Sequence, residues 1–512
     1  MTDAPARSAG AEWATGASLP IVAAFAATLF LSAFLLFSVQ PLFAKLALPL
    51  LGGAPAVWSV AMVFFQATLL AGYAYAHTLI RFAGRFGVVI HVALMALALL
   101  WLPIALASGF ESPPQSNLSI WVLALFTASL GVPLLAVTAN APLLQAWFAR
   151  TRHNGAGDPY FLYGASNVGS LIALLSYPFL IEPRLTLNTQ SLAWSAGYVV
   201  LFAAVALCGA SVRTGRNAVA AAVAARPKMR ARVEWAAFGF LPSALLVATT
   251  AHISTNIAAA PFLWVMPLAI FLLSFVVTFT RRPVLPVRGM QVLLPIALPA
   301  AMATVLFPGV LGGLPGIAVN LFAFFVIAVC WHAELYARRP SASRLTDFYL
   351  CMSVGGVLGG AFTSLVAPVV FSSVLEFPFL LGASVLAIPE MRALIMRRRA
   401  LTAVGGAVAV AFVIVMSPDI EHRQRNFFGV VSTKISDDGR YRLLIHGTTV
   451  HGAQKLESVN APPSAGRPEP LLYYGAGAPL AEGIAIARRA KAALSVGVVG
   501  LGAGSLACYA EP

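Results

Sequence analysis

Residues 119–147 read SIWVLALFTASLGVPLLAVTANAPLLQAW, an apolar run with no formal charge, and Arg150 and Arg152 follow directly after it. About 20 such residues let a helix cross a hydrocarbon core of about 30 Å. Comparable runs recur along the chain, at about 19–40, 55–76, 88–107, 119–147, 160–181, 192–212, 235–257, 261–280, 289–308, 313–333, 347–369, 371–388 and 400–417. The 512 residues are 59% hydrophobic and 10% charged, with mean hydropathy +0.85, whereas soluble domains carry roughly 25% charged residues. A water-soluble fold is excluded for most of the chain. The expected class is an α-helical polytopic membrane protein of about thirteen spans. Asp3, Glu12 and the full length of the first run argue for an uncleaved first span and no signal peptide.

The charges alternate from loop to loop. Arg81 and Arg85, Arg150 and Arg152, the series from Arg213 to Arg232, Arg281 to Arg288, Arg338 to Arg344 and Arg392 to Arg399 fall in every second connection. The intervening loops carry Glu111, Glu182 and Glu376, with Arg184. By the positive-inside rule the basic loops and the N-terminus face the cytoplasm of a bacterial inner (plasma) membrane. The net charge of +15 is then an orientation signal that meets the lipid bilayer, and no nucleic-acid partner is expected. Thirteen crossings put the tail outside the cytoplasm. If residues 400–417, short and interrupted by glycine, do not cross, the tail is cytoplasmic.

The longest basic loop, 213–234, separates six spans (19–212) from six (235–388), after a cytoplasmic N-terminal tail, 1–18. Ala149-Arg150, Asp158, Tyr160 and Val168-Gly169 recur as Ala337-Arg338, Asp347, Tyr349 and Val354-Gly355, the mark of a parallel duplication. Six-plus-six repeats joined by a cytoplasmic loop resemble the major facilitator superfamily of transporters, although the charged signature between spans two and three is missing. Asn140, Asn167, His252, Asn256 and Asn320 lie inside apolar runs, and His332 with Glu334 lies at a cytoplasmic end. One reading is a substrate pathway between the halves, since polar groups in lipid must face a cavity or a partner. The other is interhelical hydrogen bonding. Gly355, Gly356, Gly359 and Gly360 point to close helix packing. Cys208, Cys330, Cys351 and Cys508 form no metal-ligand spacing and no disulfide framework.

After a basic loop and last span (389–417), composition changes: eight of the 18 acidic residues and ten of the 33 basic ones lie beyond Pro418. Residues 430–434 and 441–445 read as strands joined by the turn Ser436-Asp437-Asp438-Gly439, a hairpin, and 480–493 as an amphipathic helix. Residues 496–500 (VGVVG) read as a buried strand running into LGAGS, where Gly500, Gly502 and Gly504 would let the backbone approach a nucleoside ligand. The expected tail is a β region at 418–494 followed by the start of a Rossmann-like domain at 495–512.

Residues 426–429 (NFFG), 446–454 (HGTTVHGAQ), 469–474 (EPLLYY) and the GLGAG turn resemble the spermidine synthase, or polyamine aminopropyltransferase, family. With VQPLFAKLALPLLGGAPAVW at 39–58, the chain is similar to bacterial fused facilitator/spermidine synthase membrane proteins. The resemblance implies transfer of an aminopropyl group from decarboxylated S-adenosylmethionine to a polyamine. It assigns Gln454, Gly500, Gly502 and Gly504 to the donor nucleoside and Tyr473 and Tyr474 to the polyamine. No catalytic residue is carried over, because the family's catalytic aspartate would fall beyond Pro512; the expectation is a chain ending inside its last domain. His446 and His451 read equally as site residues or as turn residues. No metal and no bound prosthetic group are expected. The alternative function is a facilitator-like transporter of a small cationic solute with a soluble regulatory tail.

Overall fold

The computed structural model describes residues 19–151, 161–212, 227–256, 261–279, 285–307, 313–340, 344–397, 420–447, 449–456, 469–491, 494–498 and 502–510. Twelve apolar helices dominate it: α1 (Leu19–Leu51), α2 (Pro55–Phe82), α3 (Gly87–Ala98), α4 (Leu118–Phe148), α5 (Phe161–Ser176), α6 (Leu187–Ala210), α7 (Met229–Asn256), α8 (Val265–Thr278), α9 (Val287–Leu306), α10 (Gly313–Ala337), α11 (Leu345–Ala361) and α12 (Glu376–Ala383). Among the described residues nine helices are long and apolar enough to cross a membrane, and the stretches built on α3, α8 and α12 are shorter apolar helices. The thirteenth expected span, 400–417, lies outside the described residues. Large apolar side chains such as Val200, Leu207, Val292, Ile296 and Leu314 point outward. A helix apolar on all sides needs core on one face and lipid on the other.

The helices pair as a repeat. In the first half α1 packs on α5 and α6, and α2 on α4; in the second, α7 packs on α11 and α12, and α8 on α10. The halves meet where α2 lies against α11 and α5 against α8. The duplicated glycines show why the pairs match. A Cβ on Gly169 would strike the carbonyl oxygen of Phe30 on α1, and one on Gly355 would strike that of Ala236 on α7. Each landmark glycine therefore admits the backbone of its half's first helix, the close approach that small residues permit in lipid. Gly359 does the same against Phe240. This is the arrangement of two six-helix units that the duplicated landmarks imply.

A short helix, α13 (Pro389–Arg397), follows on the face that carries the basic loops. The tail resumes as an antiparallel meander, β1 (Ile420–Asn426), β2 (Gly429–Ile435), β3 (Tyr441–His446) and β4 (Thr449–Lys455). The expected hairpin is β2–β3, with Lys434 opposite Leu443 and Gly439 left-handed at φ +72° in the turn. The helix expected at 480–493 is α14 (Pro479–Ala490).

The sheet docks on the helix ends opposite the basic loops. Arg425 of β1 donates to the Ser373 carbonyl and to both carboxylate oxygens of Glu376, at the start of α12. Gly447 abuts the carbonyl of Thr255, near the end of α7. Phe427 packs on the core of the first half and Val430 on that of the second, so the β1–β2 hairpin touches both.

One expectation needs correction. Residues 494–498 form no strand, and the four-stranded meander is the only sheet among the described residues. A Rossmann strand needs neighbours to take up its backbone N–H and C=O groups, and among the described residues no strand pairs with that segment.

Candidate functional site: a cavity between the halves

Between the halves lies a cavity of about 190 Å³, walled by α1, α2, α4 and α5 on one side and α7, α8, α10 and α11 on the other. Its apolar wall includes Leu29, Phe37, Phe65, Phe271, Phe275 and Met352. Its polar wall includes Ser32, Gln40, Gln66, Tyr73, Thr138, Asn167, Ser170, Ser243, His332 and Ser353. No Asp, Glu, Lys or Arg is among the described residues lining it. The helical period explains the lining: Ser32, Leu36 and Gln40 lie one turn apart on α1, as do Gln66, Leu69 and Tyr73 on α2.

Hydrogen bonds fix several of these groups. Gln66 Nε2 donates to Ser243 Oγ at 2.9 Å, and Ser243 Oγ donates to the Gly356 carbonyl at 2.9 Å, linking α2, α7 and α11 across the halves. Ser32 Oγ donates to the Val137 carbonyl and accepts from Asn140 Nδ2 at 3.1 Å. The remaining Asn140 oxygen accepts from His91 Nε2 at 2.8 Å. His332 Nδ1 lies 2.8 Å from Ser274 Oγ, and its ring packs on Phe271 and Phe275.

Toward the sheet side Trp58 and Trp264 stack across the halves with ring centroids 5.8 Å apart, and Ser364 Oγ donates to the Ser59 carbonyl. Toward the basic-loop side His77 Nδ1 meets Thr346 Oγ1 at 3.2 Å. There Glu334 accepts from Arg338 and Arg392, while Asp347 pairs with Arg232 and Arg344.

The polar residues singled out in the sequence separate into groups. Asn167 and His332 line the cavity, and Asn140 stands one hydrogen bond behind it through Ser32. His252 and Asn320 are buried elsewhere, around Thr304, with His252 stacked on Phe377. That cluster draws on the first, third and fourth helices of its half, as the Ser32–His91–Asn140 chain does, but at the sheet end. Asn256 ends α7, and its side chain is outside the described residues. Ser32, Gln40, Gln66, Tyr73, His91 and Ser243 were not anticipated. For the serines, glutamines and Tyr73 the signal is a polar stripe at helical spacing, whereas His91 stands alone in its apolar run.

In the tail, Gln454 sits on β4 opposite Arg442. Tyr473 Oη donates to the His451 carbonyl at 2.9 Å, and Tyr474 is buried. Gly502, at φ +56°, leaves the space that Tyr474 fills, and Gly504 is left-handed at φ +73°. The glycine turn also packs Ala503 on Gly452 of β4, and Tyr509 Oη donates to the Tyr474 carbonyl at 2.6 Å. Gly500 lies outside the described residues. The structure thus brings Tyr473, Tyr474, Gly502 and Gly504 together as a packed cluster. His446 Nε2 meets the Phe428 carbonyl at 3.2 Å.

No protein-family model matches the chain. No curated protein matches it either. Solved structures similar to it include the xylose transporter XylE from E. coli in a partially occluded inward-open conformation, at 13% identity, TM-score 0.46, over 74% of this chain and 99% of that one. The POT family transporter PepTSo is similar at 11% identity, TM-score 0.47, over 77% and 98%. The E. coli fucose:proton symporter FucP is similar at 13%, TM-score 0.40, over 73% and 98%.

The aminopropyltransferase reading is corrected by the structure itself: residues 496–498 of the expected nucleoside-binding strand form no strand, and the cavity lies between the two helical halves, away from the tail motifs that suggested the enzyme.

Proposed function

We propose that the chain is a facilitator-like transporter that carries a small, uncharged, amphiphilic solute through the cavity between its halves. The observation that carries this reading is the composition of the wall. Both halves contribute to it, its apolar surface is interrupted by hydroxyl, amide and imidazole groups, and no formal charge lines it among the described residues. Buried space of this kind, with a few placed polar groups, is the usual form of a small-molecule site, and repeat interfaces are where transporters bind.

The wall argues against a polyamine or other cation. Moving a cation out of water without a carboxylate partner is costly, and the carboxylates of Glu334 and Asp347 are engaged by arginines at the basic-loop end. By the positive-inside rule the basic loops face the cytoplasm and the sheet faces outward. The Trp58–Trp264 stack then joins the halves on the outer side of the cavity and the His77–Thr346 contact joins them on the cytoplasmic side.

The test is uptake by proteoliposomes from a mixture of uncharged metabolites, resolved by mass spectrometry. At least one solute is expected to accumulate, and Leu36→Trp, which fills the cavity from α1, is expected to abolish it while the protein still purifies folded. Accumulation of no solute above empty liposomes, or accumulation indifferent to Leu36→Trp, sinks the proposal.

A further inference from the structure

His332 is fixed in one tautomer. Ser274 Oγ lies 2.6 Å from the Phe271 carbonyl oxygen, an atom that can only accept, so the single hydroxyl hydrogen of Ser274 points there. The 2.8 Å contact between Ser274 Oγ and His332 Nδ1 must therefore be a donation from Nδ1–H. At 1% exposure and packed on Phe271 and Phe275, the imidazole is neutral, because a buried charge without an ionic partner is costly, and the lone pair is then on Nε2. His332 lines the cavity, and among the described residues its side-chain hydrogen bond is made through Nδ1. The ring cannot turn over without losing the Ser274 bond, and Phe275, with its centroid 3.7 Å from the imidazole, holds it from one face.

The same bias recurs at the other end of the wall. Ser243 gives its hydrogen to the Gly356 carbonyl, so it accepts from Gln66 Nε2 and the Gln66 amide is oriented. Gln66 Oε1 is left without a partner, in the notch above Gly360. Gln40 Nε2 donates to the Leu36 carbonyl, and its Oε1 also has none. At three wall positions a donor is bound by protein and an acceptor is left over. A buried acceptor without a partner is unfavourable, and a solute hydrogen satisfies it.

We infer that His332 Nε2 is the acceptor that recognises a hydroxyl or N–H group on an uncharged solute, beside an aromatic wall of Phe271 and Phe275 for the solute's apolar part. This deepens the transport reading and rests on it. A site built to accept a hydrogen bond discriminates strongly against the analogue that lacks the donor, because the acceptor is then buried unpaired. His332 is thus a specificity residue, and methylation of the solute's donor is the change it detects.

The probes are 1-phenyl-1,2-ethanediol and its di-O-methyl ether, with affinities for the purified full chain measured by ligand-observed NMR. The diol is expected to bind at least about tenfold tighter, the ratio that one hydrogen bond of ordinary strength gives. His332→Asn keeps a donor for Ser274 and removes the Nε2 acceptor, so the preference is expected to fall to within about twofold. His332→Gln carries a carbonyl to the Nε2 position and is expected to retain it. Equal binding of diol and ether to the unaltered protein overturns the inference without any variant having to fold. A preference unchanged in His332→Asn overturns it too. In either case the uptake screen still decides transport separately, and binding of neither probe overturns the proposed solute class.

Discussion

Arg425 and Glu376 form a two-pronged ion pair across the junction between the sheet and the helices, at 2.9 and 2.7 Å, with Glu376 wholly buried and the arginine side chain 9% exposed. The planar guanidinium suits a carboxylate in this fork geometry, and the Ser373 carbonyl takes a further hydrogen bond from it. Arg425→Ala would leave a carboxylate buried alone, which costs about 3–5 kcal/mol. The expected outcome is a tail that undocks: limited proteolysis should release the sheet from Arg425→Ala at protease levels the parent protein resists. Arg425→Met combined with Glu376→Met should restore much of that resistance, because no buried charge remains. Equal resistance of Arg425→Ala and the parent would show that the pair does not hold the sheet.

Gly355 measures how closely α7 and α11 approach. The Ala236 carbonyl occupies the place of a Cβ, and a backbone atom has no rotamer by which to give way. Gly355→Ala is expected to push the helices apart and destabilise the protein by about 1–3 kcal/mol, seen as a lower unfolding temperature in detergent. Gly164→Ala is the control, since its Cβ would meet open space and a helix gains from losing glycine's backbone freedom. A Gly355→Ala protein as stable as the control would contradict the packing argument.

The membrane fold was legible because lipid leaves few options: each apolar run must satisfy its backbone internally, so runs and charged loops translate almost directly into helices and faces. The repeat was legible at Gly169 and Gly355 because a backbone approach admits no other residue there. The cavity was only half legible. Asn167 and His332 stood out as uncommon in lipid, whereas Ser32 and Ser243 looked like the many membrane serines and threonines that bond their own helix, as Thr68 and Thr250 do. Only tertiary placement shows that Ser243 reaches Gly356 and Gln66 instead. Arg425 and Glu376, 49 residues apart, read as a tail charge and a loop acid, and nothing local couples them. At residues 496–498 the local signal misled: an apolar run between glycines describes a buried strand, but a strand depends on neighbours that the run itself does not specify.

Asp438 gives the β2–β3 turn a pH dependence. Its carboxylate accepts from Ser436 Oγ, the Arg440 backbone N–H and the Arg440 guanidinium, and these bonds hold its pKa down to about 2. A carboxylate depressed by folding contributes its full stabilisation above its unfolded value near 4 and loses it as pH falls toward about 2. Amide exchange at Gly439 and Arg440 is therefore expected to be insensitive to this group from pH 7 to 5 and to lose protection between about pH 4 and 2, after correction for intrinsic rates. In Asp438→Asn, which keeps an acceptor oxygen but does not titrate, that acid step should vanish. A step of the same size in the variant would assign it to another group.

Asn140 ties the cavity wall to the interior of the first half, because its two amide atoms serve different helices: Nδ2 reaches Ser32 on α1 and Oδ1 takes the hydrogen of His91 on α3. Asn140 and His91 are both 0% exposed, so water cannot replace a lost partner. Asn140→Leu fills similar volume yet strands the His91 N–H, at a cost of about 1–3 kcal/mol. Adding His91→Leu removes the stranded donor and is expected to recover part of that loss, so the two changes together should cost less than their sum. Thermal unfolding of the two single variants and the double variant measures the difference. Strict additivity would mean that the His91–Asn140 bond contributes nothing to stability.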